Sequence, residues 1–263
     1  MNKWIGGEPH AMDGLGHQEP QYRQTRAGRC FPAGTLVHTD KGLVPIQEIR
    51  AGDRVLSRPE QGGSGAATAY QPVKQAFCAG ERELVWVCGQ LNSEYDDPDA
   101  PIYMVFMTPD HPVWDERRQN WVPAADMETG ALLSSPDNAN PLRVLSVRRV
   151  HEGYVDQQWR LGGCYGWPVD DELDQVFQFS DQNYYVVNRK KWHAVDGYFV
   201  PESHIVHIDA DLKEKAVWHI YDHRPFPKYL KVPVYHLEVE NFHTYFVGEP
   251  AIWVRSNSLD EPA

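Results

Sequence analysis

From Cys30 onward the sequence alternates between short β-type segments and turn residues. Asp40–Gly42 and residues 50–53 are typical turns, and each lies between segments rich in Val, Leu, Ile and Thr. A chain of many short strands with frequent turn signals favours a mainly β domain. The predicted strands are residues 35–39, 43–46, 54–57, 83–88, 102–107 and 143–150.

Composition and charge exclude several classes of partner. The 263-residue chain is 41% hydrophobic and 12% aromatic, which is enough to bury a core without disulfides. Its net charge of −12 argues against nucleic acid, because phosphate binding requires surplus Lys and Arg. No apolar run approaches the roughly 20 residues of a membrane span, and the first residues lack the apolar segment of a secretory signal.

Cysteine usage suits a reducing compartment. The four cysteines are irregularly spaced and form no C-x-x-C pair, so a thiol would stay free to react. We therefore expect the protein to be cytoplasmic in the cell that produces it. The cysteines are Cys30, Cys78, Cys88 and Cys164.

Residues 153–231 differ in composition from the segments on either side and are interpreted as an insertion. They are dense in Trp, Tyr and His, with a predicted acidic helix at 170–176 and a predicted hairpin of residues 203–211 and 216–222. An inserted α+β subdomain is therefore expected. The predicted division is a flexible leader (1–29), two parts of one β domain (30–152 and 232–257), the insertion (153–231) and a tail (258–263).

Both ends of the β domain carry groups that can break a peptide bond. The sulfur of Cys30 could attack the carbonyl carbon of the Arg29–Cys30 bond, since a thiol pKa near 8.5 makes the thiolate accessible. The side-chain amide of Asn257 could close onto its own carbonyl and break the Asn257–Ser258 bond. The alternatives without a catalytic role are that Cys30 is a small buried side chain and that Asn257 and Ser258 belong to an ordinary polar tail.

Three blocks of sequence lie in the two parts of the predicted β domain: CFPAGTLV at 30–37 with 42–49 and 52–56, TPDHPVW at 108–114, and VYHLEVENFHTYFVG at 234–248. These blocks resemble the Hint superfamily, the fold shared by inteins, bacterial intein-like domains and the autoprocessing part of hedgehog proteins. The third block is most similar to pretoxin Hint domains of bacterial polymorphic toxins. The resemblance implies a mainly β horseshoe with adjacent ends.

The resemblance also implies roles at the upstream junction. Cys30 would be the nucleophile, and Thr108 and His111 would hold the scissile amide distorted. His111 would protonate the departing nitrogen, which suits an imidazole with a pKa near 6.5. Asp110 would help to orient His111. The alternative interpretation of His111 is a structural histidine whose hydrogen bonds are satisfied.

At the downstream junction the chain departs from the family pattern. His243 matches the family histidine that polarises the carbonyl there, but His236 stands where inteins often carry an acid. Ser256 occupies the place of the family's penultimate histidine, and a serine is a poor proton donor. Cyclisation of Asn257 is therefore expected to be slow unless Arg255 or His243 supplies the proton.

Ser258 could accept a transferred acyl group, as serine does at intein junctions. The resemblance implies self-cleavage or splicing through a thioester, without a cofactor, in a bacterial toxin or effector system. The expected substrate is the chain's own flanking polypeptide. Further expected partners are a toxin, immunity or chaperone protein, and export by a specialised secretion system would fit.

Two alternatives from other classes remain open. One is a toxic effector enzyme, such as a metal-dependent nuclease, whose active part is the insertion. His219 and His223 share one face of a predicted strand and are weak metal ligand candidates, so no metal site is assigned. The other is a catalytically silent Hint scaffold that binds a partner through the insertion.

Overall fold

The computed structural model describes residues 29–97, 99–155, 160–164, 175–180, 182–188, 192–195, 198–201 and 229–256. The first strands are β1 (Phe31–Pro32), β2 (Leu36–Thr39), β3 (Gly42–Pro45), β4 (Arg54–Ser57), β5 (Ala69–Glu83), β6 (Val85–Leu91), β7 (Tyr103–Met107), β8 (Pro112–Asp115), β9 (Asn120–Pro123), β10 (Leu132–Leu133) and β11 (Leu142–Arg149). They are followed by β12 (His151–Val155), β13 (Arg160–Cys164), β14 (Gln175–Phe179), β15 (Tyr184–Asn188), β16 (Trp192–Val195), β17 (Tyr198–Pro201), β18 (Lys231–Val239), β19 (Thr244–Val247) and β20 (Ile252–Arg255). Short 3-10 helices span Ile46–Glu48, Asn92–Glu94 and Ala124–Asp126.

Fourteen of these strands form one antiparallel sheet. Its order is β1-β18-β5-β4-β2-β19-β20-β8-β10-β11-β6-β7, with β3 paired to β2 and β9 paired to β8. The late strands β18, β19 and β20 therefore lie between early ones. This interleaving confirms the expected mainly β fold class and brings the two ends of the domain to one place.

The first hairpin forms where the sequence predicts it. Gly42 adopts φ +99, a left-handed conformation that costs glycine little. The hydroxyl of Thr39 donates to the Gly42 carbonyl at 2.7 Å and accepts the N–H of Lys41 at 3.0 Å. These bonds close the turn between β2 and β3, so the register of both strands is fixed locally.

The ends of the predicted strands outside the insertion are confirmed to within three residues, but the insertion differs from the prediction. Residues 175 and 176 open strand β14, so the predicted helix at 170–176 is wrong for them; the rest of it lies outside the described residues, as does the predicted hairpin at 203–222. The predicted boundary between residues 152 and 153 falls inside β12. In residues 175–179 the alternation of Val and Phe favours a strand, and β15 supplies the partner of that strand.

Strands β12 to β15 form a four-stranded antiparallel sheet, and β16 pairs with β17. The turn after β14 contacts the first sequence block. The side chain of Gln47 donates to the Gln182 carbonyl at 2.7 Å, and a Cβ on Gly34 (φ +84) would clash with Asn183. Gly34 therefore permits the close approach of the two segments.

A buried arginine supports the strand that leads to the downstream junction. Arg58 is 1% exposed, and its guanidinium lies 5.0 Å from the ring centre of Trp253 on β20. Trp253 also packs against Trp114 and Trp121. The guanidinium donates hydrogen bonds to Ala66 O, Ser134 Oγ, Asn138 Oδ1, Ser135 O and Pro136 O.

The apolar core divides into three clusters of buried side chains. Cys30 belongs to the second cluster, together with Trp86, Cys88 and Phe106. Phe179, at the end of β14, packs edge-on against Phe106 at 5.2 Å and so joins the insertion to this cluster. Within the described part of the chain, no helix has the length and apolar character needed to cross a membrane.

Candidate functional site

Two antiparallel strand pairs build the site. β1 pairs with β18 so that Phe31 lies opposite Tyr235, and the same register continued by one residue sets Cys30 opposite His236. β8 pairs with β20 through Val113 and Val254. Because His111 immediately precedes β8, this second pairing brings the end of β20 to His111.

Cys30 and Thr108 hold each other by two hydrogen bonds. The N–H of Cys30, which is the nitrogen of the Arg29–Cys30 bond, donates to Thr108 Oγ1 at 2.9 Å. The N–H of Thr108 donates to the Cys30 carbonyl at 2.9 Å. His111 closes the same turn, because its N–H donates to the Thr108 carbonyl at 3.1 Å. The turn therefore fixes the backbone nitrogen of Cys30 and contains His111 as well.

Burial keeps the Cys30 thiol protonated. Cys30 is fully buried, and burial, with a smaller contribution from the negative charge of Asp110, raises its pKa to about 12. Arg82 acts in the opposite direction. The expectation of an accessible thiolate is therefore wrong for the resting structure, and removing this proton at pH 7 costs about 7 kcal/mol.

His111 is a neutral, buried imidazole. Its ring centre lies 4.3 Å from that of Phe31. Burial, followed by the charges of His236 and Arg29, lowers its pKa well below 6.5, while the Arg255 backbone favours the charged form. Within the described part of the chain, neither ring nitrogen has a hydrogen bond of standard length and angle. In the resting state His111 is therefore neutral, so one ring nitrogen can accept a proton while the other carries the single N–H of the ring.

Asp110, which was expected to orient His111, lies on the surface. It is exposed, and no hydrogen bond joins it to His111. With Thr108 it lines an open cleft of about 340 Å³. The cleft is mixed in charge, and its other lining residues are Glu81, Arg82, Glu83, Pro109 and Lys231.

The predicted downstream residues lie at the end of β20, next to the turn before β19. The N–H of Ser256 donates to the His243 carbonyl at 2.8 Å, and the Ser256 hydroxyl accepts the N–H of Val239 at 3.3 Å. His243 has φ +54, an uncommon conformation for a non-glycine residue, and is exposed. Asn257 and Ser258 lie outside the described residues.

Two further residues of the predicted site are already engaged in packing or pairing. Arg255 forms an ion pair with Glu60 at 2.6 Å. His236 is buried and stacks on Phe77, with ring centres 5.8 Å apart and planes 8° from parallel. The structure thus brings Cys30, Thr108, His111 and His236 together and places Arg255 at their edge.

Tyr245 was not predicted from the sequence, although it lies in the same cluster of rings. It is fully buried on β19, and its ring centre lies 6.1 Å from that of Phe31. Its position could have indicated a role, because Tyr245 lies two residues after His243 and its hydroxyl interrupts an apolar strand.

Within the described residues there is no group of three or more His, Cys, Asp or Glu side chains that could hold a metal ion. The weak metal candidates His219 and His223 lie outside those residues. The described site is thus built from a thiol, a hydroxyl and imidazoles. Such groups can perform nucleophilic and acid–base chemistry.

The sequence matches a known family over part of its length. Residues 36–159 match the model described as the pretoxin HINT domain. The matched range contains Thr108, Asp110 and His111, while Cys30 precedes it and β18 to β20 follow it. This part of the chain is therefore similar to a pretoxin HINT domain.

Other comparisons give only distant similarity. No curated protein matches the chain. A bacterial intein-like domain from Clostridium thermocellum is 17% identical, with 88% of this chain and 100% of that chain covered and a TM-score of 0.46. A DnaB intein from Synechocystis sp. PCC 6803 is 8% identical, with 87% and 99% covered and a TM-score of 0.45. A DnaX mini intein from Spirulina platensis is 12% identical, with 87% and 100% covered and a TM-score of 0.38.

Proposed function

We propose that this chain cleaves its own backbone at the Arg29–Cys30 bond by an N-to-S acyl shift. The observation that carries the proposal is the position of the Cys30 nitrogen. It donates to Thr108 Oγ1 at 2.9 Å, in a buried turn that also presents His111. A structural cysteine needs neither a fixed backbone nitrogen nor a neutral imidazole beside it.

In the first step, His111 takes the proton of the Cys30 thiol. A protonated thiol and a neutral imidazole are the forms that burial favours for both groups. As the proton leaves, the sulfur forms a bond to the Arg29 carbonyl carbon, and the electron pair of the C=O bond moves to the oxygen. The proton leaves the thiol while the sulfur attacks, because a free thiolate is costly in this site.

In the second step, His111 returns the proton to the Cys30 nitrogen. The C–N bond breaks, the carbonyl re-forms, and Arg29 is left as a thioester on the Cys30 sulfur with a free amine on Cys30. Thr108 positions this nitrogen throughout, since its hydroxyl can accept from an amide N–H or from an amine. An external thiol would then release residues 1–29 by exchange.

At the downstream junction, we propose slower cleavage by cyclisation of Asn257. The residue before it, Ser256, is 1% exposed, and its hydroxyl already accepts the Val239 N–H. Arg255 is paired with Glu60. Both groups are therefore held in the fold and are poor sources of a proton, which leaves His243 as the stronger candidate. Ser258 is the proposed acyl acceptor if the two ends react together.

The pretoxin family match favours a role in a bacterial polymorphic-toxin or effector system. The substrate is then the flanking polypeptide, and a toxin, immunity or chaperone protein is the proposed partner. The proposed location is the cytoplasm of the producing cell, with export through a specialised secretion system.

The proposal is tested by comparing two buried cysteines. Purified protein is incubated with and without dithiothreitol, and its intact mass is followed over time. We expect the loss of residues 1–29 in the wild type and in Cys88→Ala, and no loss in Cys30→Ala. Cys88 is a matched control because it is also buried, with its pKa raised to about 11. Equal release from Cys30→Ala would disprove the nucleophile assignment, and no release from any of them would favour a silent scaffold.

A further inference from the structure

The open cleft of about 340 Å³ borders the bond between Arg29 and Cys30. Thr108 lines this cleft, and its hydroxyl oxygen lies 2.9 Å from the Cys30 nitrogen. That nitrogen is bonded directly to the carbonyl carbon of Arg29. The volume is near the lower limit for sites that bind small molecules. A small molecule in the cleft would therefore lie beside the bond that the acyl shift rearranges.

Two elements of the fold supply charges of opposite sign to the cleft. Arg82, near the end of β5, is half-buried, and Asp110, in the turn between β7 and β8, is exposed. The guanidinium of Arg82 donates to the Glu81 carbonyl at 2.8 Å, which orients it. In the described part of the chain neither Arg82 nor Asp110 forms an ion pair, whereas Glu83 is paired with Arg149 at 3.2 Å. The cleft therefore presents a cation and an anion to a ligand.

The balance of charge in the cleft indicates the class of ligand. Apart from Glu83, its charged side chains are the acids Glu81 and Asp110 and the bases Arg82 and Lys231. A molecule that carries both a carboxylate and an ammonium group can pair with both signs, whereas a simple anion or cation is repelled by one of them. The thioester at Cys30 needs an acceptor, and a thiol has the high nucleophilicity that this requires.

We propose that the cleft binds a small zwitterionic thiol, of the class of free cysteine, as the acceptor that removes the leader from Cys30. The proposal rests on the acyl shift described above. The acceptor sulfur forms a bond to the Arg29 carbonyl carbon, the bond from that carbon to the Cys30 sulfur breaks, and the thiol proton of the acceptor passes to Cys30. The acceptor amine, after losing one proton to solvent, then attacks the same carbon and displaces the acceptor sulfur, which takes a second proton from the amine. The product is residues 1–29 joined to the acceptor by an amide bond.

The charges of the cleft also reach the reacting sulfur. Burial is the largest cause of the raised pKa of the Cys30 thiol, but the charge of Asp110 adds to it and the charge of Arg82 opposes it. An acceptor held between these two side chains would thus lie within electrostatic range of Cys30. Holding it there raises its effective concentration at the thioester.

The test compares cysteine with two analogues that each lack one charged group. Cysteamine lacks the carboxylate, and mercaptopropionate lacks the amine. The rate of release of residues 1–29 is measured at low acceptor concentration, where exchange limits the rate. Each result is a ratio of rates for two acceptors in one variant, compared with the same ratio in the wild type, because thiols differ in intrinsic nucleophilicity.

The two charged residues should affect different acceptors. We expect Arg82→Gln to lower the rate with cysteine relative to cysteamine by about threefold to tenfold, because only cysteine has a carboxylate to lose its partner. Asp110→Asn should lower the rate with cysteine relative to mercaptopropionate by a similar factor. Arg54→Gln and Asp126→Asn are the matched controls, because each removes one exposed charge outside the cleft, and both ratios should stay as in the wild type.

The outcomes separate this inference from the proposed function. If the wild type releases nothing with any thiol, the acyl shift itself fails, and the role of the cleft fails with it. If the wild type releases the leader but Arg82→Gln and Asp110→Asn leave the ratios unchanged, the role of the cleft alone is overturned. Equal changes in Arg54→Gln or Asp126→Asn would also overturn it, because the net charge of the protein would then govern the choice of thiol.

Discussion

The hydroxyl oxygen of Thr108 lies 2.9 Å from the backbone nitrogen of Cys30 and accepts its hydrogen. Both residues are buried, and seventy-eight positions of sequence separate them. The bond does not itself weaken the amide, since donation from N–H leaves the resonance of the peptide group intact. Its effect is to hold the Cys30 nitrogen in one place relative to the turn that contains His111.

Replacing Thr108 tests that positioning. Thr108→Val keeps the shape but leaves the buried N–H of Cys30 without its acceptor, so we expect a loss of about 1–3 kcal/mol in the free energy of unfolding. Release of residues 1–29 should slow by about 10-fold or more, because misplacement of a reacting group is costly. Thr108→Ser, which retains the hydroxyl, should keep most of the free energy of unfolding and most of the release rate. Normal release from Thr108→Val would remove Thr108 from the mechanism.

The pH dependence of release distinguishes proton transfer to His111 from proton loss to solvent. Transfer within the site leaves the number of bound protons unchanged, so the rate stays flat while His111 is neutral and Cys30 is protonated. His111 is neutral above a pKa lowered well below 6.5, and Cys30 is protonated up to about 12. At saturating thiol we expect less than about a threefold change between pH 6.5 and 9, with a fall only under more acidic conditions.

In His111→Gln the internal base is lost, and solvent must take the proton. Release should then be about 100-fold slower near pH 7 and should rise by up to tenfold per pH unit. A wild-type rate that itself rises tenfold per unit across this range would argue that His111 does not accept the thiol proton.

The downstream junction is tested with a reporter protein fused after Ala263. We expect slow loss of the reporter, none from Asn257→Ala, and at least about tenfold faster loss from Ser256→His, since an imidazole can donate the missing proton. Ser256 is buried, so unfolding midpoints must show that Ser256→His still folds. Equal rates for wild type and Ser256→His would mean that His243 or Arg255 already supplies the proton.

Arg58 is predicted to stabilise the domain rather than to react. Its guanidinium donates hydrogen bonds to several carbonyl and side-chain oxygens and lies over Trp253. A lysine cannot reproduce this set of contacts. Arg58→Lys should lower the free energy of unfolding by roughly 3 kcal/mol. Arg54→Lys is the control, because Arg54 is exposed and donates to the Tyr70 carbonyl; it should change stability by less than about 0.5 kcal/mol.

The local parts of this fold were predictable from sequence, whereas the chemistry of the site was predictable only in part. The hairpin at Asp40–Gly42 is set by adjacent residues, and the three sequence blocks drew attention to Cys30, Thr108 and His111, which hydrogen bonds connect in the structure. Burial of the Cys30 thiol was not visible, because it results from residues far apart in the chain, such as Trp86 and Val232. Tyr245 was missed for the same reason.

The insertion shows a related limit at two places. Residues 175 and 176 read as the end of an acidic helix, but they pair with Asn188 and Val187 of β15. Pairing with another strand overrides a weak local preference. A strand that crosses a predicted boundary, as β12 does, is likewise invisible until its partner β13 is known.

The most direct measurement is the mass of the fragment released when mercaptoethanesulfonate is added to the purified protein. An acyl shift at Cys30 predicts a fragment of residues 1–29 that carries the reagent as a thioester on the Arg29 carboxyl group, and a partner fragment beginning with a free amine at Cys30. Hydroxylamine should then remove the reagent. A fragment ending at Arg29 without the adduct would indicate ordinary proteolysis, and an adduct of the same kind from Cys30→Ala would contradict Cys30 as the nucleophile.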